Sequence, residues 1–199
     1  MFARAGRRSR RWAGLGAGVV LAACAVIAPP DAGIPVEDVR TTGRALPGTL
    51  ADDPTGPHVE LLTATVAGQE MEIAMQRDGA GTCIAVRRPP ASVQGCGGLP
   101  GDDGPMGTVF GLVVTDGPPE ADPGGPVMVA GLVTADVGAV VAELEDGSMA
   151  RAVLFSLAPA GVEGSGFVLY LQPDPGQRSL VAHDVSGSEL ARLEFRGGP

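Results

Sequence analysis

Short apolar runs that alternate with polar residues, each ended by glycine, proline or aspartate, constrain the fold of this chain most strongly. In residues 70–77, Met71, Ile73 and Met75 alternate with polar neighbours. A period of two places alternate side chains on opposite faces of a β-strand. Runs of this kind recur at intervals of eight to twelve residues, and no segment after residue 30 has a convincing helical period. This pattern predicts an all-β fold built of antiparallel strands.

The predicted strands fall into two sets. The first set is a meander over residues 59–66, 70–77 and 82–88, with a turn at Asp78-Gly79 and a further strand at 109–115. The second set occupies 127–134, 138–145, 149–157, 166–172, 179–184 and 189–195, with turns at Asp146-Gly147 and Ser186-Gly187-Ser188. We therefore expect a sandwich-like architecture, in which an N-terminal meander precedes an Ig-like β module.

Proline, glycine and aspartate define the expected boundaries between these parts. Residues 25–57 contain six prolines and no sustained periodicity, which is typical of a disordered tether. We divide the chain into a signal or anchor helix at 1–24, this tether, an N-terminal β meander at 58–117, a linker at 118–126 and a C-terminal β module at 127–196.

The first thirty residues resemble an export signal. Five arginines in residues 4–11 precede an uncharged run over 12–30, which contains the quartet Leu21-Ala22-Ala23-Cys24. That quartet is similar to a bacterial lipobox, in which the cysteine is lipidated and becomes the new N-terminus. Two alternatives stay open: an uncleaved membrane anchor over 12–30, and ordinary signal-peptide cleavage after Ala25. Each predicts an extracytoplasmic protein, and the first two attach it to the membrane.

The charge of the mature chain argues against a nucleic-acid partner. Removal of the signal takes five of the fourteen arginines and none of the 23 acidic residues, which leaves nine arginines and a net charge of −14. The chain has no lysine, whereas binding to a phosphate backbone requires clustered basic side chains. The acidity is typical of the soluble surface of an exported domain.

Two cysteines remain once Cys24 is lipidated or removed with the signal. In an oxidising compartment the pair Cys83 and Cys96 is expected to form a structural disulfide across a loop of twelve residues. A metal site or a redox pair is the alternative, but the spacing is not C-x-x-C and the chain has only His58 and His183 as further soft ligands.

Residues of catalytic type do not form a recognisable constellation. Gly164-Ser165-Gly166 is not the G-x-S-x-G pattern of a nucleophile elbow. His183 and Asp184 are neighbours, and adjacent residues of a strand point to opposite faces. The acids in glycine- and proline-rich loops do not match a calcium-binding loop; they are Asp102, Asp103, Asp116, Glu120 and Asp122. We predict no catalytic residues, no metal and no cofactor.

Several segments are similar to a group of uncharacterised exported actinobacterial proteins. The segments are GQEMEI (68–73), GTCIAV (81–86), GCG (95–97), AGLV (130–133), VVAELEDG (140–147) and LVAHDVSGSEL (180–190). Met71 departs from the pattern, since such proteins often have tryptophan there. The resemblance implies a two-part β architecture, and the group has no established activity to transfer.

Two classes of function follow as hypotheses. The first is a non-catalytic binding or structural module, attached to the cell membrane through its N-terminal lipid or anchor, with an envelope protein or glycan as ligand. The second is an extracytoplasmic hydrolase whose site is assembled from dispersed carboxylates. A membrane-anchored sensor that acts through a partner protein is a further alternative.

Overall fold

The computed structural model describes residues 31–46, 58–78, 81–89, 91–101, 109–116, 126–172 and 177–196. These residues form fourteen strands and one short 3₁₀ turn (Ala158–Ala160), and all pairings between the strands are antiparallel. The strands are β1 (Gly33–Ile34), β2 (Val36–Leu46), β3 (His58–Val66), β4 (Gln69–Asp78), β5 (Gly81–Arg88), β6 (Ala91–Gly97), β7 (Phe110–Asp116), β8 (Val127–Val133), β9 (Val137–Leu144), β10 (Met149–Arg151), β11 (Val153–Ser156), β12 (Ser165–Leu171), β13 (Gln177–Asp184) and β14 (Glu189–Arg196). The predicted all-β antiparallel class is confirmed.

Some predictions concern residues outside this description. The signal segment 1–24 with its lipobox cysteine, Cys24, lies there, and so do the acids at 102, 103, 120 and 122. The Asp78-Gly79 turn is described only at Asp78, which pairs with Gly81. Among the described residues, no helix has the length and apolar character needed to cross a membrane.

Three sheets are stacked in layers. The first sheet has the strand order β2-β3-β4-β5-β6, and the third has the order β10-β9-β13-β14. Between them lies a central sheet of order β1-β12-β8-β7, with β11 also paired to β12. One apolar core fills the space between the first and central sheets, and a second core fills the space between the central and third sheets.

The sequence of the central strands explains why this sheet is the middle layer. All seven residues of β8 (VMVAGLV) are buried, and in β12 only Ser165 is more than slightly exposed. A strand without a polar face must be covered on both sides. Even-numbered residues such as Val168 and Tyr170 enter the first core, while Phe167 and Leu169 enter the second.

Phenylalanine rings cover glycines at two neighbouring positions of the central sheet. Phe155 of β11 is directly opposite Gly166, and Phe167 is directly opposite Gly131 of β8. A Cβ atom on either glycine would overlap the facing ring. The rings therefore occupy the space that the missing side chains leave, which restores apolar burial at strand positions that glycine otherwise weakens.

The first sheet follows the predicted alternation. Met71, Ile73 and Met75 are at most 2% exposed and face the central sheet. A β-bulge between Glu60 and Leu62 places the consecutive residues Leu61 and Leu62 in the same core, each with 0% exposure. The period of two is therefore kept on both sides of the bulge.

The disulfide is confirmed at the place predicted for it. Cys83 of β5 is directly opposite Cys96 of β6, with their Cα atoms 4.0 Å apart. The bridge joins the last two strands of the first sheet and supports the predicted disulfide-stapled meander. It lies on the face of the sheet that points away from the core.

The predicted tether over 25–57 is corrected where the structure describes it. Residues 33–34 form β1, which pairs with β12, and residues 36–46 form β2, which pairs with β3. β2 is an edge strand with exposed residues at most positions, and two register shifts interrupt its pairing. An edge strand forms hydrogen bonds with one neighbour only and can stay largely exposed, so its sequence needs little alternation of apolar and polar residues. In β2 the bulges also interrupt the period of two, which hides the remaining alternation in the sequence.

The expected separation into an N-terminal meander and a C-terminal module is also corrected. β7, predicted to close the meander, pairs with β8 in the central sheet. β10 and β11 are separated by Ala152 alone, yet they belong to the third and the central sheet. The central sheet thus combines strands from the predicted tether, meander and module. Each outer sheet completes its apolar core only by packing against one face of the central sheet.

Candidate binding groove on the first sheet

The residues considered for catalysis lie apart. Ser165 begins β12 in the central sheet, whereas His183 is near the end of β13 in the third sheet. The Asp184 carboxylate accepts hydrogen bonds from the Ser186 backbone at 2.8 Å and from the Ser188 backbone at 2.9 Å. Asp184 therefore organises the predicted turn, and its pKa is lowered chiefly by the hydrogen bond from the Ser186 hydroxyl.

His183 is partly buried in the third sheet. Its Nδ1 atom is buried and has no hydrogen-bond partner among the described residues. Within the same ranges, no three His, Cys, Asp or Glu side chains come together as a set that could hold a metal ion.

A concave groove lies on the face of the first sheet that points away from the core. We call it the outer-face groove, and its cavity volume is about 450 Å³. Most of the side chains that line it are polar or charged. Its lining consists of Asp38, Arg40, Thr63, Ala64, Thr65, Glu70, Met71, Glu72, Arg87 and Pro89.

The strand register arranges the polar lining in two rows across the sheet. In the first row, Arg40 of β2 pairs with Thr63, Thr63 with Glu72 and Glu72 with Arg87. In the second row, Thr65 of β3 pairs with Glu70. Neighbouring strands are about 4.8 Å apart and the two rows are about 7 Å apart along the strands. The first row therefore carries two arginines and one glutamate, and the second row carries a glutamate.

One ion pair lies in the groove. The Arg87 guanidinium donates a hydrogen bond to the Glu72 carboxylate at 3.1 Å. The Arg87 side chain is 30% exposed and the Glu72 side chain is 28% exposed. This pair cancels one positive and one negative charge, and it is too exposed to contribute much to stability.

Three further charges line the groove, and the described part of the chain offers them no partner. Asp38, Arg40 and Glu70 are exposed and form no ion pair or side-chain hydrogen bond among the described residues. Asp38 also has a positive φ of 49° within the bulge of β2. Aspartate tolerates this left-handed conformation better than most residues, although it still costs free energy.

Sequence reasoning missed this groove for two reasons. It assigned Asp38 and Arg40 to a tether, so no neighbour on the sheet was expected for them. Glu70 and Glu72 are among the polar neighbours in the predicted strand at 70–77, but the sequence alone assigned them no function. The matching alternation of Thr63 and Thr65 in the preceding strand was the signal that could have located the groove.

Charges on the opposite side of the molecule are differently arranged. On the exposed face of the third sheet, Arg192 donates two hydrogen bonds to Glu189, at 3.2 and 2.9 Å, and one to the Ser179 hydroxyl at 2.9 Å. It also forms a short ion pair with Glu143. These hydrogen bonds from Arg192 lower the pKa of Glu189, and the bonds to Glu189 and Glu143 raise the pKa of Arg192.

A small polar cluster closes the end of the first core near the groove. The hydroxyl of buried Tyr170 contacts the Met71 sulfur at 3.1 Å, and the Arg88 guanidinium lies 5.5 Å from the Tyr170 ring centroid. Burial is the main cause that raises the pKa of Tyr170 to about 12. The tyrosine therefore stays neutral and fixes Met71, which lies beneath the groove.

No protein-family model, curated protein or solved structure matches this chain.

Proposed function

We propose that the protein is an exported binding module, attached to the cell membrane through Cys24, which holds an envelope ligand in the outer-face groove without catalysing a reaction. The observation that carries this proposal is the presence, around a concave polar surface, of three charges that have no ion-pair partner among the described residues. Charges that stabilise a fold are usually compensated within it, as those around Arg192 are. Exposed charges gathered in a concavity are instead available to a ligand.

The hydrolase alternative requires converging carboxylates, and Glu70, Glu72 and Asp38 do line the same groove. A general acid in such an enzyme sits in a site that excludes water and raises its pKa. Here Glu70 and Asp38 are exposed, and Glu72 is paired with Arg87. This environment favours ligand binding over acid catalysis.

Export is supported by the basic and apolar N-terminal sequence and by the partly exposed disulfide, which is typical of oxidising compartments. If Cys24 is the lipidated residue, only six residues separate it from Asp31, where the described fold begins. Six extended residues reach about 20 Å at most. The described fold would then lie close to the membrane surface rather than at the end of a long tether.

Two measurements on the full-length protein in an actinobacterial host test this proposal. Cys24→Ala is expected to abolish lipid attachment and leave precursor or released protein. Unchanged membrane retention with unchanged mass would instead favour the spanning anchor.

The second measurement is sedimentation with isolated cell walls. The Arg40→Gln/Glu70→Gln double variant is expected to be retained at least fivefold less than the wild type. A matched control, Arg151→Gln/Glu145→Gln, removes one charge of each sign from exposed residues of β10 and of the turn before it. Equal retention of the groove variant would contradict the proposal. Release of soluble wall fragments by the wild type would favour the hydrolase.

A further inference from the structure

The charges of the outer-face groove define the chemistry of its ligand. We propose that the groove binds a short peptide through its free ammonium and free carboxylate ends. This inference rests on the proposed binding function and adds the ligand class to it.

The ion pair in the groove determines which charges are available to a ligand. Arg87 and Glu72 neutralise each other, so among the described lining residues Arg40 is the available cation and Glu70 and Asp38 are the available anions. A ligand that carries only one sign of charge would leave an available group uncompensated. A zwitterion satisfies both, with its carboxylate on the Arg40 guanidinium and its ammonium on Glu70, assisted by Asp38.

The distance between Arg40 and Glu70 determines the length of the ligand. Arg40 and Glu70 lie two strands apart and in different rows, so their Cα atoms are separated by about 12 Å on standard sheet spacings. Both side chains are long enough to reach inwards from these positions. Three residues of an extended peptide span about 10 Å. A tripeptide therefore fits between the two groups, whereas a single amino acid is too short to contact both.

The uncharged residues of the lining are suited to a peptide backbone. Thr63 and Thr65 lie between the charged groups, and their hydroxyls can donate to and accept from peptide amides. The apolar lining residues are Ala64, Met71 and Pro89, and none of the lining residues is aromatic. A sugar-binding site typically offers an aromatic ring for the face of the sugar to stack on. The lining therefore favours a peptide over a glycan.

The test is a calorimetric titration of the full-length protein, extracted in detergent, with three probes. They are trialanine, N-acetyl-trialanine and trialanine amide. Trialanine is expected to bind, and blocking either end is expected to weaken binding about tenfold, which corresponds to the loss of one charge-assisted contact.

One variant tests the contact of each peptide end with its groove residue. Glu70→Gln is expected to bind free and N-acetylated peptide equally, and Arg40→Gln is expected to bind free peptide and its amide equally. The control Arg151→Gln/Glu145→Gln should discriminate between the probes as the wild type does. No binding of trialanine at millimolar concentration, or undiminished discrimination in both groove variants, would overturn the inference.

The same variants separate this inference from the proposed function. If trialanine does not bind but cell walls still retain the wild type and not the groove variant, the binding function stands and the ligand class is wrong. If cell walls also fail to distinguish the variants, the binding function fails as well.

Discussion

The exposed faces of the first and third sheets carry similar residues in opposite arrangements. On the third sheet, Arg192 binds Glu143, Glu189 and Ser179, so its charge is used within the fold. On the first sheet, Arg40 and Glu70 have no ion-pair partner among the described residues, although both line one groove. The difference teaches that net charge alone does not identify a binding surface; the partners of each charge must be known.

Local symmetry explains why the third sheet is self-contained. The segments VAELEDGSMAR (141–151) and VAHDVSGSELAR (181–192) each form a hairpin, and Val141 is directly opposite Val181. Arg151 pairs with Val141 as Arg192 pairs with Val181. The two hairpins are therefore related by an approximate twofold axis, which brings residues of one hairpin against the other. The first sheet has no such duplication, and its edge strand β2 is bulged.

The largest loss of stability is expected from a substitution in the central sheet, against which both outer sheets pack. Phe167 is fully buried, covers Gly131 and contacts Phe110 edge-on with ring centroids 6.2 Å apart. Phe167→Ala should lower the free energy of unfolding by about 3–5 kcal/mol, measured by urea denaturation. Hydrogen exchange should increase in both outer sheets. An increase confined to the third sheet would show that the first sheet is stable independently.

Loss of the disulfide is expected to destabilise the first sheet more than the third. Cys83→Ser/Cys96→Ser should lower the free energy of unfolding by about 3 kcal/mol, the value for a loop of this length in the chain-entropy model. Hydrogen exchange in β5 and β6 should rise more than in β13 and β14. Equal increases in both sheets would show that the bridge stabilises the whole fold to the same extent, which would contradict the expected difference between the two sheets.

Acid is expected to weaken the third sheet first. The pKa of Asp146 is lowered by hydrogen bonds from Ser148, and the pKa values of Asp184 and Glu189 are also lowered. A carboxylate with a lowered folded-state pKa stabilises the fold above its unfolded pKa of about 4, and this contribution is lost as the pH falls through the folded value. Hydrogen exchange of both third-sheet turns should therefore increase below pH 4, and Asp184→Asn should flatten that dependence in its own turn. A turn that stays equally protected at pH 3 would contradict this.

Much of the fold could be predicted from the sequence, and the site could not. The alternation at Met71, Ile73 and Met75 and the turn at Asp146-Gly147 depend on local rules, and the structure agrees with them. The position of β2 depends on a distant neighbour, β3, and bulges break its pattern. The groove combines residues of four strands, so it exists only once the register is known.

The comparison is tested most directly by a matched pair of substitutions, Arg192→Gln and Arg40→Gln, each followed by urea denaturation and by titration with trialanine. Arg192→Gln is expected to lower the free energy of unfolding by about 0.5–1 kcal/mol, the upper range for exposed ion pairs, and to leave binding unchanged. Arg40→Gln is expected to leave stability unchanged and to weaken binding about tenfold. Loss of stability without loss of binding in Arg40→Gln would contradict the account, because the charge of Arg40 would then serve the fold rather than a ligand.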